Sequence, residues 1–186
     1  MRTERVAWSA NGVLTLALIL LVGALTLINF YETEYLFVIL FLVLLVILLA
    51  GLTVVKPNEA KVILLFGKYL GTVRQEGLIY TVPFTHRKRI SLKIKAFEQH
   101  IPIEGASNKT TMQFILFYKV VDTAKFLFEV EAFERFVELQ SKTVLKTLLL
   151  QHPEIEGEEI RERFTQVMEE KMARIGIEIV DLYIMS

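Results

Sequence analysis

Two apolar runs without a single charged side chain fill most of the first 55 residues, one from 6 to 31 and one from Tyr35 to Val55, with Glu32 and Glu34 between them. As a helix, the 21 residues of the second run would measure roughly 30 Å, the thickness of a bilayer's hydrocarbon. The first run is most apolar between Gly12 and Phe30 and is about as long. Arg2 and Arg5 before it resemble the start of an export signal. However, the run outlasts a signal's apolar region and a second run follows at once, so two uncleaved helices fit better. With only Tyr31 to Tyr35 between them, the helices are expected to form an antiparallel hairpin. Basic residues flank both its ends (Arg2, Arg5; Lys56, Lys61) and its turn carries acid only, which predicts two spans with both termini cytoplasmic. Trp8, Tyr31 and Tyr35 fall where interfacial aromatics anchor. Neither run holds an ionisable group, so the hairpin offers no ion path.

Residues 1–55 are therefore read as a membrane anchor and 56–186 as one cytoplasmic domain, since the remaining 131 residues suffice for a single core. A pair of buried core helices is the competing reading, but a domain this small could hardly cover two helices apolar on all faces. The 21 Lys and Arg balance the 21 Asp and Glu, leaving no basic excess to displace counterions, so nucleic acid is not an expected partner. The absence of cysteine excludes disulfides, thiolate nucleophiles and cysteine metal sites.

Within the domain, Lys61 to Phe66 is a short apolar run closed by Gly67, a buried strand followed by a turn. Thr72 to Arg74 and Leu78 to Val82 suggest further strands around Gly77. Ile90 to Lys95 alternates and predicts a strand with Lys93 and Lys95 on its solvent side. Thr111 to Val121 predicts another long strand, joined to it through the polar loop Glu104 to Lys109. The period then becomes helical: Phe133, Phe136, Val137, Val144, Leu145 and Leu148 predict an amphipathic helix from about Glu131 to Leu150. Beyond Pro153, Ile160 to Ile175 predicts a second helix that Gly176 ends, and Ile177 to Met185 a returning strand. The expected fold is α+β, an N-terminal transmembrane hairpin followed by a mainly antiparallel sheet with helices on one face.

No motif for chemistry emerges. His86, His100 and His152 are scattered without ligand spacing. Gly67-Lys68-Tyr69-Leu70-Gly71 lacks the Lys and hydroxyl of a phosphate loop and reads as turn glycines. Glu158, Glu159, Glu169 and Glu170 belong to the solvated face of the last helix. No catalytic residue, cofactor or metal is expected, and an enzyme is not the expected class.

Val54-Val55-Lys56-Pro57-Asn58-Glu59-Ala60, Leu65-Phe66-Gly67-Lys68-Tyr69, Gly71-Thr72-Val73-Arg74, Gly77-Leu78 and Val82-Pro83-Phe84 resemble the start of an SPFH (band 7; stomatin, prohibitin, flotillin-like) domain. Tyr118 to Lys125 and Ile175 to Ile179 stand where that domain has similar segments. The resemblance covers about Val54 to Met185, and the preceding hairpin suits a bacterial membrane-anchored subgroup. A Glu-Pro-Gly-like turn of the family stands here as Gln75-Glu76-Gly77, with the glycine's freedom at φ > 0 retained. Many relatives continue into a long heptad-bearing helix, and this sequence stops at Ser186 before one. The resemblance implies a membrane-anchored scaffold that self-assembles into a homo-oligomeric ring and organises membrane lipids. An alternative it also implies is a regulatory subunit that restrains a membrane protease or pairs with another membrane partner.

Charge is unevenly placed. From Lys56 to Lys109 there are 10 basic and 4 acidic residues, and from Thr110 to Ser186 there are 9 basic and 14 acidic, giving +6 and −5. In the basic half Arg87, Lys88 and Arg89 form a cluster expected to meet anionic headgroups, with a solubilised loop an equally weighted reading. The two halves are complementary, and Lys93 and Lys95 are expected to face Glu158, Glu159, Glu162, Glu169 and Glu170 of a neighbouring protomer in a head-to-tail assembly.

Overall fold

The computed structural model describes residues 4–29, 35–104, 109–151 and 158–185, and the chain divides into two compact units, Glu4–Ser91 and Leu92 onward. The first unit holds β1 (Ala10–Asn11), α1 (Gly12–Asn29), α2 (Tyr35–Gly51), β2 (Leu52–Val55), β3 (Glu59–Leu65), β4 (Lys68–Val73), β5 (Gly77–Tyr80) and β6 (His86–Ser91). The second holds β7 (Lys95–Glu104), β8 (Lys109–Val120), α3 (Thr123–Glu129), α4 (Phe133–Gln151), α5 (Glu158–Arg174) and β9 (Ile177–Met185). The strands form three antiparallel sheets, ordered β1-β5-β2, β4-β3-β6 and β7-β8-β9, so the fold is mixed α and β with antiparallel pairing as expected, in three small sheets where one was anticipated.

In the first unit the apolar runs are not helical from end to end. Helix α1 begins only after β1, where Asn11 accepts from the Val13 amide at 2.9 Å in an N-cap contact. Helix α2 stops at Gly51, so the run from Tyr35 to Val55 is not one helix. Thr53, Val54 and Val55 are β-branched and suit the strand they form against β5. Among the described residues no helix is long and apolar enough to cross a membrane. Helices of 18 and 17 residues measure about 27 and 26 Å, against roughly 30 Å of hydrocarbon. Most of the acidic turn read between the helices lies outside the described residues.

A small core of Ala7, Val55, Ile63, Val73 and Ile79 joins the two sheets of this unit. The segment before β1 adds to the edge of β4, with Ala7 donating to Thr72 O at 3.0 Å, Thr72 donating to Arg5 O at 2.7 Å, and Arg74 clasping Glu4 with two bonds of 2.7 and 2.8 Å.

The second unit packs α4 and α5 on one face of its sheet. Phe114, Leu116 and Tyr118 of β8 alternate inward against Val137, Val144 and Leu145 of α4 and Phe164, Met168 and Met172 of α5. In β9, Val180 is the extra residue of a bulge between the pairs Tyr118↔Ile179 and Phe117↔Asp181, which brings Leu182 inward behind Ile177. The helix expected from about Glu131 spans Phe133–Gln151, and α5 ends at Arg174 ahead of Gly176 at φ 79°. That glycine's carbonyl accepts from the amides of Val121 and Asp122, and a Cβ there would strike Asp122 O. Helix α3 was not anticipated, although its N-cap is visible in the sequence: Asp122 accepts from the Lys125 amide at 2.9 Å.

One strand reading is corrected. Ile90 to Lys95 is not a single strand: β6 ends at Ser91, Leu92–Ile94 intervene, and Lys95 opens β7. Strand β6 pairs with β3 in the first unit and β7 with β8 in the second, so Lys93 and Lys95 do not share a strand face.

Candidate functional site

Strand β5 holds the roots of both long helices. Its edges pair with β1 through Ala10↔Tyr80 and with β2 through Leu52↔Tyr80, so the chain that enters α1 and the chain that leaves α2 flank the same four residues. The fit is tight. A Cβ on Gly51 would strike the Tyr80 ring, and one on Gly12 would lie 2.5 Å from Leu78 O, so side chains are excluded at both helix roots. Trp8, largely exposed, meets Tyr80 edge-on at 6.3 Å between ring centroids.

Arg87 closes the end of α2. Its guanidinium donates to Ala50 O at 2.7 Å and Leu52 O at 2.9 Å, carbonyls at and just beyond the helix's last turn. The last carbonyls of a helix lack intrahelical partners and carry the negative end of its dipole, so a cation is matched to them twice over. Burial lowers the Arg87 pKa, with Tyr80 acting in the opposite direction.

The register of β6 on β3 separates the basic cluster. Lys61↔Arg89 and Ile63↔Arg87 are cross-strand pairs, as is Val62↔Lys88. Alternation therefore puts Arg87, Arg89 and Lys61 on one face and Lys88 on the other. The three residues Arg87, Lys88 and Arg89 do not form one basic surface, and Arg87 is occupied by backbone. Lys61, read in the sequence as a flanking cation beside the membrane, is instead 5% exposed and donates to Thr53 Oγ1. Burial, then the charges of Arg89 and Arg87, lower its pKa, while Glu59 works to raise it. Beside it, Glu59 Oε2 is a buried oxygen without a hydrogen-bond partner among the described residues.

Two aromatic tips stand at one end of the β4-β3-β6 sheet. Phe66 follows β3 and Phe84 lies before β6, next to the pair Leu64↔His86. They are 95% and 65% exposed, and both hold φ values of the left-handed region, 47° and 58°, unusual for a bulky side chain. This end also carries Arg87 and through it the end of α2. The tips add to the exposed leucines and isoleucines along α1 and α2, so the first unit holds most of the exposed large apolar side chains among the described residues.

The second unit sorts the expected acidic face. Glu159 pairs with Arg163 at 3.1 Å and Glu170 with Arg174 at 2.6 Å, each one turn away on α5. Glu162 and Glu169 instead line an open groove of about 370 Å³ between α5 and β9, with Arg161 and Asp181. A hydrogen bond from Tyr183 holds the Asp181 carboxyl below the usual range. The side chain of Glu158 lies outside the described residues, Lys93 sits between β6 and β7, and Lys95 is exposed at the start of β7. Among the described residues no group of three or more His, Asp or Glu is placed to hold a metal. His100 stands 3.7 Å from Glu98, His86 opens β6, and His152 lies outside the described residues.

A family model described as the SPFH domain / Band 7 family matches residues 53–185, from within β2 to the end of β9. No curated protein matches this chain.

Proposed function

Because the chain belongs to the SPFH domain / Band 7 family, which is generally of membrane-associated, non-enzymatic scaffold type, we propose that it is a membrane-anchored scaffold that self-assembles and organises the bilayer around it. The hairpin of α1 and α2 inserts into the bilayer, with both roots and both termini on the cytoplasmic side. The observation that carries this reading is the exposed apolar surface of the two helices, including Leu14, Leu27 and Leu36 at 70% or more. The few ångströms by which the helices fall short of the hydrocarbon are met by local thinning of the bilayer at modest cost. Arg89 and Lys88 then serve the headgroup region from opposite faces of β6.

Extraction and sizing test the proposal. The full chain should stay with membranes in alkaline carbonate, leave them only in detergent, and give a high-order homo-oligomer by native mass spectrometry. A reporter fused after Ser186 should be active on the cytoplasmic side. Release by carbonate would reject the anchor, and a monomer in detergent and in lipid nanodiscs would reject the scaffold. A membrane protease recovered with the chain at constant stoichiometry would replace the scaffold by a regulatory subunit.

A further inference from the structure

We propose that copies of this chain join through the two open edges of the β7-β8-β9 sheet, the β9 edge of one protomer receiving the β7 edge of the next. The inference rests on the self-assembly reading above and specifies the surface it would use. Among the described residues no strand pairs with the outer edge of either β7 or β9, although they are 10 and 9 residues long. Unpaired edges of that length are templates for another strand unless something covers them. Pro102, which lacks an amide hydrogen, lies in β7 where an edge strand tolerates it, and leaves for a neighbour those alternate donors of residues 95–101 that point away from β8.

The pairing direction follows from topology. Both β7 and β9 run antiparallel to β8, so they run parallel to each other. Protomers related by a small rotation keep that direction, and β9 meets the neighbour's β7 as a parallel pair. Because the two edges differ, the contact is head-to-tail, and its repetition closes a ring or extends a chain.

Charge sets the register. Lys95 lies opposite Tyr118, and Tyr118 lies opposite Ile179, so Lys95 and Ile179 stand at one level of the sheet and on the face that carries α5. Ile179 lines the groove in which Glu162 and Glu169 stand, and neither glutamate makes an ion pair among the described residues. A neighbour added without a shift in level delivers its Lys95 to those carboxylates. Glu159 and Glu170, paired within α5, stay outside the contact.

The natural chain has no cysteine, so paired cysteines read this contact against an empty background. Neighbouring strands lie about 4.8 Å apart, and β7 and β9 of one protomer are separated by twice that, too far for a disulfide. Lys95→Cys with Ile179→Cys, and independently Ala96→Cys with Asp181→Cys one level further along, both standing opposite Phe117, should give ladders beyond the dimer when the membrane-embedded full chain is oxidised. Each single variant should give none, and circular dichroism should confirm that all remain folded. In parallel, Lys95→Glu should shrink the oligomer and Glu162→Lys with Glu169→Lys in the same chain should restore it. Monomers from both double variants, or dimers of equal yield from the single ones, in a protein that native mass spectrometry shows assembled would overturn this interface and leave the scaffold intact. A chain monomeric under every membrane condition would overturn both.

Discussion

The two units put their charges to opposite uses. In the first, Arg87 and Lys61 are drawn into the fold, one bound to the carbonyls where α2 ends and the other against Thr53. In the second, the core is a stack of aromatic and aliphatic side chains, and ion pairs such as Glu159–Arg163 and Glu170–Arg174 lie on the surface of α5. The difference teaches where each unit is vulnerable. Losing the Arg87 cation should injure the first unit and spare the second, while losing apolar volume from the second unit's core should do the reverse.

Hydrogen exchange followed segment by segment in the full-length, lipid-embedded protein can break this contrast, because it reports the two units separately. The largest effect should come from Phe164→Ala, which empties a site between α5 and β8 in contact with Phe114 at 5.6 Å between centroids. We expect a loss of about 3–5 kcal/mol of protection confined to β8, α4, α5 and β9. An equal loss in β3 and β6 would dissolve the distinction. Next is Arg87→Met, which keeps much of the stem but strands the Ala50 and Leu52 carbonyls; a loss of about 2–3 kcal/mol is expected around β2, β5 and the end of α2. The fluorescence of Trp8, the only tryptophan, should shift as its contact with Tyr80 loosens. Unchanged exchange there would mean that the clamp is dispensable.

Lys61→Met sharpens the comparison with the opposite sign. A buried cation facing two guanidinium groups is replaced by an apolar side chain of similar shape, so the first unit should be unchanged or gain about 1 kcal/mol. The pH response gives the sign independently. Folding lowers the Lys61 pKa below its ordinary 10.5, so the unfolded chain holds that proton more tightly. Stability of the first unit should therefore rise with pH in the window just below 10.5, and Lys61→Met should flatten that rise. A slope that survives the substitution would assign it to another group. The smallest effect should be that of Glu170→Ala, about 0.3 kcal/mol, vanishing in high salt.

Much of the second unit was legible because its elements are half-buried, and half-burial writes a period into the sequence. The inward residues of β8 alternate, and Val137, Val144, Leu145 and Leu148 recur at helical spacing. The first unit hid its architecture for the converse reason. Strands β1 and β2 lie inside uniformly apolar runs, where a strand and a helix look alike, so the sheet at the helix roots could not be seen. The alternation across Ile90 to Lys95 was real in sequence but changed partners at Leu92, which no period records. The cluster at residues 87–89 was visible as charge, yet only the β3 register shows that Lys88 turns away from Arg87 and that Lys61 joins it. Phe66 and Phe84 gave a signal that was there to be used, since both sit beside turn-forming Gly67 and Pro83.

Strand β5 sets an order of events during synthesis. Gly51 ends α2, yet the strand that ties the roots of both helices begins only at Gly77, and its partner Ala10 lies near the start of the chain. As the chain emerges, α1 and α2 are complete while their tie is still unmade. The helices are thus free to find their surroundings first, and closure of β1 and β2 onto β5 locks the arrangement afterwards, at the loop-closure cost of a long-range contact. A chain with β5 moved ahead of the hairpin would close that lock too early.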